Sequence, residues 1–205
     1  MENYYIKLLS FKNIAILLLA VLPLAKAKSQ GVRFLVPDGV VAHYGGSIGF
    51  GSAGISYDLF KNQRGNLDFT FGYVPESKGG PLRILTGKFS YKPVKIGLKD
   101  IGTLYPVNPG TFISYTPGEQ FEKWSKTQYP KGYYWWSKST RIHLSLSTEA
   151  KFNGEKVLHK AGIKAIGVYS ELNTNDLYAV SWFKNKDSMS FLEIVRVGYG
   201  VRVYF

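Results

Sequence analysis

The feature that most constrains this chain is a two-residue alternation, and it is clearest in residues 191–205. Phe191, Val195, Val197, Tyr199, Val201, Val203 and Phe205 fall on one parity, while Arg196, Gly198, Gly200 and Arg202 fall on the other. An extended strand turns successive side chains to opposite faces. The segment is therefore predicted as a strand with one wholly apolar face and one face of glycine and charge. Such a strand has two homes. In a soluble sandwich the apolar face meets a second sheet. In a membrane barrel it meets lipid, and the polar face lines the interior.

The same split recurs along the chain. Leu67, Phe69, Phe71 and Tyr73 oppose Asp68, Thr70 and Gly72; Leu85, Gly87, Phe89 and Tyr91 oppose Thr86, Lys88 and Ser90. Ile142, Leu144 and Leu146 oppose Arg141, His143, Ser145 and Ser147, and Tyr178, Val180 and Trp182 oppose Ala179 and Ser181. Val107, Ile113 and Tyr115 share a parity in a strand interrupted by Pro106 and Pro109, and the parity of residues 160–172 is ambiguous. Residues 40–59 change parity: Ile48 and Phe50 share one face and Ala53, Ile55, Tyr57 and Leu59 the other, with "GSAG" between them read as a bulge. Turn-forming stretches ("KNQRGN", "PESKGG", "KFNGEK", "NTND", "KNKDSM") separate the segments. The pattern predicts eight strands, at about 40–59, 66–74, 82–92, 103–116, 139–150, 159–172, 176–184 and 191–205. The fold class expected is all-β, a transmembrane antiparallel β-barrel of eight strands.

Residues 1–27 read as a processing signal. Lys7 and Lys12 precede the apolar run Ile14–Leu22, which is followed by Pro23 and the small-x-small triplet Ala25, Lys26, Ala27. That order predicts a cleaved signal peptide. The run is far short of the about 20 residues that span hydrocarbon as a helix. Residues 28–205 are then one barrel domain. Removing residues 1–27 takes away three basic groups and one acidic group, so the net charge falls from +12 to +10. For an exported chain the matching anions are lipid headgroups, lipopolysaccharide phosphates and acidic glycans rather than nucleic acid. The chain has no cysteine, which excludes disulfides, Cys-based metal sites and a lipid-modified N-terminal cysteine. Its 15 Tyr, 13 Phe and 4 Trp beside this basic charge fit a membrane surface.

An exported, cysteine-free chain of eight alternating segments with a terminal aromatic resembles the small outer-membrane β-barrel proteins of Gram-negative bacteria. The closing "GYGVRVYF" is similar to barrels of Bacteroidota type. Tyr199, Val201, Val203 and Phe205 match that family's C-terminal insertion signal. The resemblance implies outer-membrane localisation and recognition by the barrel assembly machinery. It also implies outer-membrane lipid and lipopolysaccharide as surroundings. One feature departs from it. Counting strands from the N-terminus puts residues 117–138 at the same end as the termini, where such barrels keep their turns short.

Two constellations could carry chemistry. The inward parity collects Asp68, Lys88, Arg141, His143, Glu149, Arg196 and Arg202, which an eight-stranded barrel would hold as a packed, paired interior. Within it His143, Ser145 and Glu149 supply the residue types of a general-base-activated nucleophile. Neighbouring same-face residues on a strand lie about 6.5–7 Å apart, so shared parity alone does not make them touch. The second constellation is "YPKGYYWW": Tyr129, Lys131, Tyr133, Tyr134, Trp135 and Trp136 form an aromatic girdle or a platform for headgroups or glycans. His43 and His159 stand alone, without a second ligand at metal-site spacing. "GGSIGFGSAG" lacks the Lys-Ser/Thr ending of a phosphate loop. The expected role is structural or a surface interaction, non-enzymatic, with no cofactor or metal. The alternative is a barrel enzyme that hydrolyses or transfers acyl chains of lipid A or phospholipid.

Overall fold

The computed structural model describes residues 36–118, 139–154, 158 and 161–205. Its strands are β1 (Gly39–Gly45), β2 (Gly51–Leu59), β3 (Gly65–Val74), β4 (Leu82–Tyr91), β5 (Ile96–Leu98), β6 (Gly102–Tyr115), β7 (Thr140–Asn153), β8 (Ala165–Asn175) and β9 (Arg196–Tyr204). One helix, α1 (Asp176–Lys184), follows β8, and a 3-10 turn (Phe191–Ile194) precedes β9. Hydrogen-bonded neighbours run β4-β3-β2-β1-β9-β8-β7-β6, and β4 also pairs with β6. The eight long strands therefore close into an antiparallel barrel. Closure removes the free edges that an open sheet would expose. The short β5 pairs with β6 alone, through Ile96↔Leu104 and Leu98↔Gly102. No helix among the described residues is long and apolar enough to cross a membrane.

The expected number of strands is right, but two of the expected segments are not. Residues 40–59 are a hairpin rather than one strand: His43 pairs with Ser52 and Gly39 with Ser56. The reversal lies at residues 45–50, upstream of "GSAG". Gly45, Gly46 and Gly49 have φ of 76°, 65° and 129°, a region that side chains with a Cβ rarely adopt. "GSAG" itself is regular strand, and Ile48 and Phe50 part company, Ile48 being buried and Phe50 exposed. The segment 176–184, expected as a strand, is α1. Asn175 caps it, its side-chain oxygen accepting from the Tyr178 N–H at 2.8 Å. Asp176 sits in the first turn and Lys184 in the last, matching the helix dipole.

The hairpin also moves the long connection, because it adds a strand ahead of it. Strands β1, β3, β6 and β8 run away from the end that holds Gly39 and Tyr204, and their partners run back toward it. Tyr115 pairs with Thr140 at the opposite end, called the mouth below. The connection between β6 and β7 therefore leaves from the mouth, not from the terminal end. The connection 176–195 between β8 and β9 leaves from the mouth as well. Among the described residues a bulge lies in β6, where the register with β7 shifts between Tyr105 and Asn108. Pro106 has no N–H for the ladder, and its carbonyl accepts from the Thr148 hydroxyl at 2.7 Å. The shift lets Tyr105 and Asn108 both face inward while Val107 faces out.

The sides of the wall are inverted relative to a water-soluble domain. Among the described residues eighteen buried residues are polar or charged and nine are apolar or aromatic. The exposed outer face carries Phe69, Phe71, Tyr73, Leu85, Ile113, Leu144, Leu146, Val168, Leu172, Tyr199 and Val201.

Candidate functional site

The polar interior is the candidate site. Six charged side chains are at least 98% buried: Asp68, Lys88, Lys92, Glu149, Glu171 and Arg202. Three are acids and three are bases, so the set is balanced. Charges taken from water require such pairing.

Arg202 on β9 is the hub. Its Nη2 donates to Asp68 Oδ2 at 2.7 Å and its Nη1 to Glu149 Oε2 at 2.7 Å. Asp68 is on β3 and Glu149 on β7, so one guanidinium ties three strands across the lumen. The planar fork of arginine suits this two-carboxylate task. The second Asp68 oxygen accepts from the Ser56 hydroxyl at 2.6 Å. The second Glu149 oxygen accepts from the Tyr204 hydroxyl at 2.7 Å. Lys92 Nζ lies 3.2 Å from both Glu149 oxygens and 3.3 Å from the Tyr204 hydroxyl. Below these groups Lys92 faces the Tyr105 ring, 4.7 Å from its centroid.

Lys88 on β4 crosses to Glu171 on β8 at 2.6 Å. The ring of Tyr169 lies between these two ion-pair systems, 4.3 Å from the Arg202 guanidinium and 4.9 Å from Lys88 Nζ. Its hydroxyl is 3.0 Å from His43 Nδ1. Two glycines of β9 make room for this. A Cβ at Gly200 would overlap the Tyr169 ring, and one at Gly198 would overlap the His43 ring. The glycines of the closing strand thus admit large side chains from its neighbours on both sides.

Of the expected inward set, Asp68, Lys88, His143, Glu149 and Arg202 are buried in the lumen. Arg196 is not. It lies exposed at the mouth end of β9, 5.3 Å from the Tyr178 ring centroid of α1, because the strand starts only there. Arg141 is partly buried and donates to the Thr140 carbonyl. His143, Ser145 and Glu149 share a face of β7, where Ser145 is half-buried opposite Gly110 of β6, and His143 and Glu149 are engaged separately. His143 Nε2 is 2.8 Å from the Ser114 hydroxyl, and its ring stacks on Phe112 at 4.1 Å and 8°. Glu149 belongs to the Arg202 network near the other end of β7. A proton could pass within the buried Ser114–His143 pair, which is the chemistry that this geometry brings together.

The aromatic platform Tyr129, Lys131, Tyr133, Tyr134, Trp135 and Trp136 lies outside the described residues, as does His159. Tyr199, Val201, Val203 and Phe205, the residues expected to form an insertion signal, lie on the parity opposite the buried Gly200, Arg202 and Tyr204, and Tyr199 and Val201 are exposed. Among the described residues no cluster of three or more His, Cys, Asp or Glu is placed to hold a metal ion. Sequence reasoning missed Lys92, Tyr169, Glu171 and Tyr204. Tyr204 shares the parity of Arg202, which was the available signal for it. No protein-family model matches the chain, and no curated protein or solved structure matches it either.

Proposed function

We propose that the protein is an outer-membrane β-barrel with a structural or surface-interaction role and no catalytic one. The observation that carries the reading is the inverted wall of a closed eight-strand barrel. Large apolar side chains such as Leu144 (65% exposed) and Tyr199 (58%) face out, and six paired charges fill the inside. In water such an outer surface would drive association, since contiguous exposed apolar area marks an interaction surface. In a bilayer the arrangement is the stable one. The placement of long connections supports the same reading. Both 116–139 and 176–195 leave from the mouth, opposite the termini, as in barrels whose long loops face outward. The interior favours a structural role, since spokes from β3, β4, β7, β8 and β9 meet across the lumen and pin opposite walls together.

Membrane fractionation followed by cold and boiled SDS gels tests the reading. The expected result is an outer-membrane band whose migration changes on boiling. A soluble band without a shift overturns it. Lipid A mass spectra with and without the protein test the enzymatic alternative, and unchanged acylation is the expected outcome.

A further inference from the structure

Outside the barrel wall, the connection from β8 to β9 gathers a second apolar surface. Trp182 of α1 is its centre. Its ring lies 5.1 Å from Phe183 and 5.6 Å from Phe191 of the 3-10 turn, both edge-on. Phe183 is 62% exposed, Phe191 54% and Leu192 79%. Lys186 reaches back over the cluster, its Nζ 4.9 Å from the Phe183 centroid and 5.4 Å from that of Trp182. Lys184 is exposed beside it. The acids of the segment are placed differently. Asp176 sits in the first turn of α1, at the opposite end of the helix from Lys184, Glu193 is turned to the Ser190 N–H in a capping box, and Asp187 lies in the turn after Lys186.

A soluble surface gains nothing by presenting three large apolar side chains on a short connection. A bilayer interface does, because aromatic rings settle at headgroup level and lysines extend their charge to the phosphates. The location fits. The segment begins after Asn175 and ends before Arg196, at the mouth, directly beyond the exposed wall residues Leu172 and Val197. The segment thus leaves from strand ends whose outer face is already apolar.

We propose that α1 and the 3-10 turn form a docking surface for the leaflet at the mouth. Phe183, Phe191 and Leu192 enter the headgroup–acyl boundary, and Lys184 and Lys186 take lipid phosphates. The docking holds the connection down against the membrane instead of letting it stand in water. This rests on the outer-membrane reading above, and the experiment separates the two.

The chain has no cysteine, so single cysteines report cleanly. Leu192→Cys and, as a wall control, Leu146→Cys are each introduced into the full chain and labelled with an environment-sensitive fluorophore. The folded protein is placed in vesicles of phosphatidylcholine with 30–40% phosphatidylglycerol (roughly the anionic content at which a basic segment gains about 1 kcal/mol per lysine), with and without brominated acyl chains. Both labels should be quenched by brominated lipid. Adding Lys184→Gln and Lys186→Gln should shift the docked-to-undocked ratio at the Leu192 label about ten-fold or more toward undocked, without changing the label at position 146. A quenched label at 146 with an unquenched one at 192 overturns the docking proposal and leaves the barrel in the membrane. An unquenched label at 146 overturns the membrane reading itself. A label at 192 that is unquenched by lipid and becomes shielded only when a second protein is added assigns the surface to a protein partner and overturns the lipid assignment.

Discussion

The two halves of the lumen are built differently. Toward the termini, Asp68, Lys92, Glu149, Arg202 and Tyr204 form one continuous ionic cluster in which every carboxylate oxygen has a donor. Beyond it toward the mouth the contacts are separate and pairwise: the Lys88–Glu171 ion pair, His43 with Tyr169 and His143 with Ser114. There the hydroxyls of Thr70 and Thr86, on paired positions of β3 and β4, are buried without a hydrogen-bond partner in the protein. The terminal half joins three strands through one branched ionic cluster, and the mouth half is tied by one ion pair and single hydrogen bonds. The difference teaches that the seam closing the barrel is secured near the chain ends, and that the mouth can deform at lower cost.

The sharpest way to break this comparison is to remove its hub. Arg202→Met leaves Asp68 and Glu149 buried without their guanidinium, and should cost about 3–5 kcal/mol. The readout is the urea midpoint at which the heat-modifiable band disappears. A loss below about 1 kcal/mol would mean that the cluster is not holding the wall.

Gly200→Ala probes the boundary between the halves. The new methyl meets the Tyr169 ring, and overpacking of this kind costs about 1–3 kcal/mol. Repeating it in a Tyr169→Leu background should recover most of that loss, measured as coupling in a double-mutant cycle. Additive effects would show that the glycine serves the backbone rather than the ring.

In the mouth half the effects should be smaller. Ser114→Ala removes one hydrogen bond to His143 and should cost about 1 kcal/mol. Thr86→Val replaces an unpartnered hydroxyl by a methyl of the same shape, and should be neutral or stabilising in the same urea titration. A loss as large as that of Arg202→Met at either position would erase the distinction between the halves.

Much of this was legible in the alternation. The faces of β3, β4, β7 and β9 follow from parity alone, because a closed barrel imposes the same inside-outside rule on every residue of a strand. Pairing was not legible. Parity placed Asp68, Glu149 and Arg202 inside, but which carboxylate meets which base depends on register and strand tilt. Parity also failed where the chain leaves the strand. Tyr178, Val180 and Trp182 alternate with Ala179 and Ser181 over only five residues, too few to separate the two periods. The cap at Asn175 and the acid at Asp176 carried the helical signal. In residues 40–59 the change of parity was real, but it marked a reversal at three glycines of positive φ rather than a bulge. These two misreadings offset each other in the strand number, and the first, lying before the long connection, displaced it to the wrong end.

The central claim is that β7 and its neighbours face lipid with one parity and the charged lumen with the other. Nitroxide labels at single cysteines replacing Leu144, Ser145, Leu146 and Ser147, in the protein reconstituted in bilayers, test it directly. The account predicts that labels at 144 and 146 collide with dissolved oxygen and not with a water-soluble nickel chelate. Labels at 145 and 147 should be immobile and reached by neither. Labels at 144 and 146 that are open to the nickel chelate would contradict it.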